Sequence, residues 1–244
     1  MRFQVAWVWA ALLMAPLAHA QSAFVVPSLS EAVEGDSNNT IPFTITGGNT
    51  RYQQVYLAND IPPGPFMISG IAFRPDVLQQ SFDFVLPDVD IYLGITAAST
   101  NLSTEFASNV GAVYTLVASG PLPLASVASG PPGGPLAFDI EILFDQPFAY
   151  SDGNLLLDVF VQPSGLIDAP LFDAVNIDMD PVGRAFSAGI ISGSVNALSG
   201  SVDSQGLVTK FMVVPEPACS AVAAFAALAA LVRVRRHGSR DATH

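Results

Sequence analysis

Between Leu136 and Phe144 the side chains alternate: Phe138, Ile140, Ile142 and Phe144 fall on one face of an extended chain, Asp139 and Glu141 on the other. A period of two is that of a β-strand with one buried face, because a helix would scatter these side chains around its circumference. Burying such side chains contributes about 1.5 to 3 kcal/mol each before entropy is subtracted, so the face carrying Phe138 is expected in the core. In Arg51–Leu57, Tyr52, Gln54 and Tyr56 oppose Gln53 and Val55; in Val89–Thr96, Val89, Ile91, Leu93 and Ile95 oppose Asp90 and Tyr92. Ile41–Thr46, Phe66–Phe73, Val113–Ala118, Ala169–Ile177, Arg184–Ile191 and Leu207–Val214 read as further strands. Leu155–Gln162 is apolar on both faces except at Asp158, the pattern of a central strand.

Between these runs stand turn formers: Gly47-Gly48-Asn49, the stretch from Pro62 to Pro65, and Tyr150 to Asn154. Ser119–Pro135, rich in Gly, Pro and Ser, reads as a long surface loop or excursion, and Ser103 either caps one helical turn through Phe106 or sits in a loop. Asn38-Asn39-Thr40 and Asn101-Leu102-Ser103 match the N-glycosylation pattern but read better as turn residues. No βαβ alternation and no amphipathic helix of useful length interrupts the series. The expected fold is all-β, an antiparallel β-sandwich (jelly-roll-like) of about nine to eleven strands, folded as one domain over residues 21–213.

The ends of the chain are of another kind. Arg2, the apolar run from Val5 to Leu17 and the small-residue sequence Ala18-His19-Ala20 form a secretory signal peptide over residues 1–20, with cleavage before Gln21. At the other end Pro215-Glu216-Pro217 precedes an apolar run from Ala218 to Val232 and then Arg233, Arg235 and Arg236. A membrane helix wants roughly 20 apolar residues, so this run spans a bilayer only barely. The arginines belong on the cytoplasmic side. Residues 214–236 are thus expected to hold a motif, a transmembrane helix and a basic stop, with 237–244 as a short cytoplasmic tail.

Several chemistries are excluded for the part between the ends. All three histidines, His19, His237 and His244, lie outside it, as do the sole cysteine, Cys219, and both tryptophans, Trp7 and Trp9. Without imidazole or thiol there is no Ser-His-Asp or Cys-His catalysis, no His-ligated metal and no disulfide, so stability must come from packing. The formal charge of the whole chain is −12, and the only bases between the ends are Arg51, Arg74, Arg184 and Lys210. Such a surface repels phosphate backbones and excludes nucleic acid as a partner.

Carboxylates are the abundant reactive groups that remain. Asp139 with Glu141, and Asp88 with Asp90, stand at i and i+2, a spacing that would suit the acid and base of a glycosidase but that any solvent-facing strand also displays. Asp178-Met179-Asp180, preceded by Asp173 and Asn176, offers oxygen ligands of the kind calcium takes, without the sequence of an EF-hand loop; no other cofactor is expected. Tyr52, Tyr56, Tyr92, Tyr114 and Tyr150 are the aromatic candidates for a sugar platform, though in a β-rich protein tyrosine is more often a strand residue chosen for propensity.

The tripartite tail around Pro215, Glu216 and Pro217 resembles the PEP-CTERM sorting domain, which an exosortase recognises and processes. Less specifically, Arg51-Tyr52-Gln53-Gln54-Val55-Tyr56, Gly70-Ile71-Ala72-Phe73-Arg74, Leu102-Ser103-Thr104-Glu105-Phe106-Ala107 and Gly153-Asn154-Leu155-Leu156-Leu157-Asp158 are similar to stretches of an uncharacterised family of exported PEP-CTERM proteins. The resemblance implies a Gram-negative envelope, transient anchoring in the inner membrane, processing by signal peptidase and exosortase, and association with exopolysaccharide in a biofilm matrix. It carries no catalytic residue. The function expected is that of a non-enzymatic, secreted cell-surface matrix protein. The alternatives are a carbohydrate-binding module and, more remotely, a secreted glycoside hydrolase.

Overall fold

The computed structural model describes residues 22–43, 49–162, 170–188 and 196–214. Thirteen strands follow in chain order: β1 (Ser22–Val26), β2 (Ser37–Asn39), β3 (Thr50–Tyr56), β4 (Phe66–Phe73), β5 (Phe82–Thr96), β6 (Val113–Ser126), β7 (Ile140–Tyr150), β8 (Asn154–Val161), β9 (Phe172–Val175), β10 (Val182–Ser187), β11 (Ser201–Asp203), β12 (Gly206–Leu207) and β13 (Thr209–Val214). Helical structure among the described residues is confined to 3-10 turns at Ser28–Ser30, Ala58–Asp60 and Phe106–Asn109.

The strands form three antiparallel sheets: β1-β13-β4-β7, β11-β10-β3-β8-β5-β6, and a small one ordered β12-β9-β2. The two larger sheets face each other as a β-sandwich. Alternation decides which residues meet between them: Tyr52 and Tyr56 of β3 and Leu155, Leu157, Val159 and Val161 of β8 share one core with Ile68, Ile71 and Phe211 of the opposite sheet. Tyr56 joins the layers directly, its ring edge-on to Phe211 at 4.9 Å and its hydroxyl 2.9 Å from Thr209 Oγ1. As its apolar pattern required, β8 is central, paired with β3 on one side and β5 on the other.

Five readings of the sequence change. The alternating run at Leu136–Phe144 becomes a strand only at Ile140 and continues to Tyr150; Ile140 and Ile142 are buried, whereas Phe138 is half-buried as a cover over the Arg74 guanidinium at 4.9 Å. The turn is accordingly shorter and closes at Gly153, where φ is +95° and a side chain would be strained. Ser119–Pro135 is not one loop, because β6, 14 residues long, runs through to Ser126 against the 15-residue β5. Pro121 and Pro123 are tolerated there since β6 is an edge strand and Gly120, at φ +107°, bends it. Asn38 and Asn39 belong to a strand, not a turn: β2 pairs with β9, and the Asn39 side chain bonds the backbone N–H and carbonyl of Ile41. Ile41, Pro42 and Phe43, expected to open a strand, are irregular; the remainder of that run lies outside the described residues.

Among the described residues no helix is long and apolar enough to cross a membrane. The membrane run at 218–232, the signal peptide with Ala18, Ala20 and Gln21, the Pro215-Glu216-Pro217 motif and Arg233, Arg235 and Arg236 all lie outside them.

Candidate functional site

Every arginine of the folded part is committed to an aspartate, and the way each pair is buried separates structure from surface. Arg74 donates from Nε to Asp173 Oδ2 at 2.6 Å, with both side chains essentially inaccessible, and its terminal nitrogens reach the carbonyls of Glu31 and Val33. Asp173 also accepts the Gly35 N–H at 2.8 Å. Burial pushes the Asp173 carboxyl up to about 6, against the opposing pull of Arg74. This pair joins β9 to the end of β4 and to the first loop. Arg184 of β10 grips Asp203 of β11 with two bonds, 2.6 and 2.8 Å.

The third pair lies on the outer face of the six-stranded sheet. Asp158, the one charged residue of β8, is fully buried there. Its Oδ2 accepts from Gln53 Nε2 at 2.7 Å, Tyr114 hydroxyl at 2.9 Å and Arg51 at 3.1 Å. Gln53 in turn accepts from Asn109, which also bonds the backbone of Ser103, so the segment 97–112 is clamped over this part of the sheet. Phe106 of that segment packs with Val55, Leu156 and Ala185 in a second, smaller apolar cluster. The Arg51 guanidinium lies between two rings, 4.5 Å from Phe106 and 4.6 Å from Phe160.

Beyond the cover of that segment the face opens into an aromatic strip. Tyr114 stacks on Tyr92 with centroids 4.6 Å apart and planes 2° from parallel, and Phe160 meets Tyr92 edge-on at 5.6 Å. All three are half-buried. Gly94, paired with Tyr114 across the strands, makes the stack possible: a Cβ there would sit 2.7 Å from the Val113 carbonyl and 3.2 Å from the Tyr114 ring. Asp90 and Ser119 stand in the same cross-strand row as Phe160, joined by a 2.6 Å hydrogen bond. Burial, with the negative charge of Asp158, holds the Tyr114 phenol well above its ordinary pKa of 10. Burial, then Asp90 and Asp158, raises Tyr92 as well. Both phenols are therefore protonated donors under ordinary conditions.

The structure thus divides the five tyrosines of the sequence. Tyr52, Tyr56 and Tyr150 are buried core residues, and only Tyr92 and Tyr114 reach the surface together. The alternation already put Tyr92 with Asp90 on the face opposite Ile91; nothing in it announced the Arg51–Asp158 pair, whose members are 107 residues apart in the chain.

The carboxylate pairs separate. Asp139 precedes β7 and accepts the Val127 N–H at 3.0 Å beside Phe82 and Asp83, whereas Glu141 opens into a different cleft of 290 Å³ between β6 and β7, shared with Asp145. The Asp88 backbone carbonyl accepts the Gln162 N–H, and Asp90 joins the aromatic strip. Asp178 and Asp180 occupy the turn between β9 and β10, with Met179 at φ 71° between them. Asp180 Oδ1 accepts the Val182 N–H at 3.1 Å, and burial raises its carboxyl above the usual range. Asp178 lines a 350 Å³ cleft with Asn101 and Asp203, but Asp173 is turned away into its pair with Arg74. Among the described residues no group of three or more His, Cys, Asp or Glu side chains is gathered to hold a metal ion. No protein-family model, curated protein or solved structure matches the chain.

Proposed function

We propose that the chain is an exported, non-catalytic envelope protein whose sandwich is displayed at the surface of a Gram-negative cell and contributes to its extracellular matrix. One observation carries the reading furthest. The first strand of the folded part pairs with the last: β1 lies antiparallel to β13, with Ser22 opposite Val213. Phe24 stacks on Phe211 at 5.0 Å to fasten the pair. The anticipated cleavage site before Gln21 and the Pro215-Glu216-Pro217 motif therefore leave the sandwich at the same point, each within two residues of a hydrogen-bonded strand. Both end segments can then be removed without taking a single strand from the fold.

The strand order supports a jelly-roll wrapping. Taking β1, β3, β4, β5, β6, β7, β8 and β13 as eight successive strands, one sheet runs first-eighth-third-sixth and the other second-seventh-fourth-fifth, the order produced by two interlocked Greek keys. In that arrangement the chain ends meet by construction. The acidic surface, with each of its arginines spent on an internal ion pair, suits a protein that stays soluble and dispersed outside the cell.

In operation, signal peptidase removes residues 1–20, the apolar run after Pro217 halts in the inner membrane with Arg233, Arg235 and Arg236 inside, and an exosortase acts at the proline-flanked glutamate. Proline fixes its own φ and biases its predecessor away from helix, so the sequence of the motif favours a segment open to a processing enzyme. Replacing Pro215, Glu216 and Pro217 together with alanine is expected to leave the protein uncut in the inner-membrane fraction. Unchanged processing and surface display in that variant overturns the proposal.

A further inference from the structure

We propose that the strip formed by Tyr114, Tyr92 and Phe160 on the outer face of the six-stranded sheet binds uncharged polysaccharide. The inference rests on the exported, matrix-associated reading and names the ligand class for which that surface is built.

The strip crosses β6, β5 and β8 in sequence, and its rings succeed one another at 4.6 and 5.6 Å. The stacked pair turns one face of each tyrosine against the other, so a ligand meets the outer ring surfaces and edges. A pyranose presents axial C–H groups to an aromatic surface and equatorial hydroxyls around its rim. The site supplies both kinds of partner. Ring faces and edges lie along the strip, while the Tyr92 phenol and the Asp90–Ser119 pair border it as donors and acceptors.

The strip is fixed before any ligand arrives. Tyr114 is held through its hydroxyl by the buried Asp158 carboxylate, Arg51 is locked between Phe106 and Phe160, and Gly94 leaves room for the Tyr114 ring beside it. Rings held in this way lose little freedom on binding, which is how a small contact area becomes useful affinity. An ordinary solvated strand face needs no buried three-donor carboxylate beneath its tyrosines.

Charge selects the kind of glycan. Asp90 borders the strip and Asp145 lies just beyond, accepting the Ser119 N–H, while the nearest cation, Arg51, is neutralised by Asp158. Among the described residues no unpaired cation borders the strip to compensate a uronate or sulfate, so acidic polysaccharide is repelled and a neutral chain is accepted. A protein partner fits less well, because three half-buried rings interleaved with carboxylates lack the broad apolar centre of a protein interface.

The test uses the full chain purified in detergent and titrated calorimetrically with cellohexaose, mannohexaose and, as the acidic counter-probe, hexagalacturonate. At least one neutral hexasaccharide is expected to bind saturably and with little dependence on salt, and hexagalacturonate not at all. Tyr92→Ala should weaken binding about tenfold or more, whereas Tyr92→Phe, which keeps the ring, should retain most of it. Thermal unfolding of both variants checks that the fold survives. If Tyr92→Ala does not fold, Asp90→Asn and Ser119→Ala, on the exposed border, replace it with an expected severalfold loss. Absence of binding to both neutral probes, undiminished binding by the variants, or preference for the acidic probe overturns the inference. Surface fractionation of the same cells is read separately: a displayed protein that binds neither neutral sugar overturns the site and leaves the export reading standing.

Discussion

Asp158 is where a single substitution should do most damage, and the size of the effect follows from its surroundings. Its carboxylate is fully buried and accepts from Arg51, Gln53 and Tyr114. In Asp158→Ala the Arg51 guanidinium, only 14% exposed, keeps one carbonyl partner, Ala197, and two aromatic rings, but no counter-charge. Breaking one side of a buried pair typically costs about 3 to 5 kcal/mol because the other charge is stranded. For a domain of this size each kcal/mol lowers Tm by about 2 to 4 °C, so a fall of about 6 to 20 °C is expected in circular dichroism melts. Removing both charges with Arg51→Met and Asp158→Leu should cost less than Asp158→Ala alone, leaving one N–H of the Gln53 amide, whose other bond to the Phe106 carbonyl persists, and the Tyr114 hydroxyl short of an acceptor, about 1 to 3 kcal/mol. Asp145→Ala, at an exposed position, serves as the reference and should stay within about 0.5 kcal/mol. An Asp158→Ala loss below about 1 kcal/mol, or a double variant worse than the sum of the singles, would refute the stranded-charge reasoning.

Other contacts of the sandwich carry their own expected outcomes. Gly94→Ala forces a Cβ to 2.7 Å from the Val113 carbonyl and should cost about 1 to 3 kcal/mol while reducing the near-ultraviolet tyrosine signal; an unchanged signal would mean that Tyr92 and Tyr114 are not stacked over Gly94. Phe24→Ala removes the ring stacked on Phe211 and should cost about 2 kcal/mol, read by urea unfolding, with no change if β1 does not pair with β13. Asp173 has its folded-state carboxyl raised from 3.8 to about 6. Between those values the folded protein holds a proton that the unfolded chain has released, so this group's contribution to stability falls as pH rises through the window and levels off above it. Urea unfolding at steps across that window should show this slope in the native sequence and lose it in Asp173→Asn; equal slopes would contradict it.

Much of the sandwich was legible because alternation survives burial on one face. Val89–Thr96 and Leu155–Gln162 read correctly from their own residues, and Asp158 already stood out as a polar interruption. The extensions of β5 back to Phe82 and of β6 on to Ser126 were not legible, since Pro87, Gly120, Pro121 and Pro123 signal loops, whereas an edge hairpin with bulges absorbs them. Gln53, Gln54, Arg74 and Asp173 are buried although they are polar, and no local pattern reveals that. Each depends on a partner brought from far along the chain, as Arg74 depends on Asp173, 99 residues away. The aromatic strip was half legible for the same reason. Tyr92 could be assigned its face from the strand period, but its stacking on Tyr114 requires the β5–β6 register and the missing side chain of Gly94.

The central claim is that terminal segments address this sandwich to the cell surface and are then removed where the first and last strands meet. Mass spectrometry of the surface-bound protein tests it directly. The account predicts a chain that begins at Gln21 and ends within or beside Pro215-Glu216-Pro217. Recovery of the intact 244-residue chain from the cytosol, or of the uncut chain from the inner membrane of cells with an active exosortase, would contradict it.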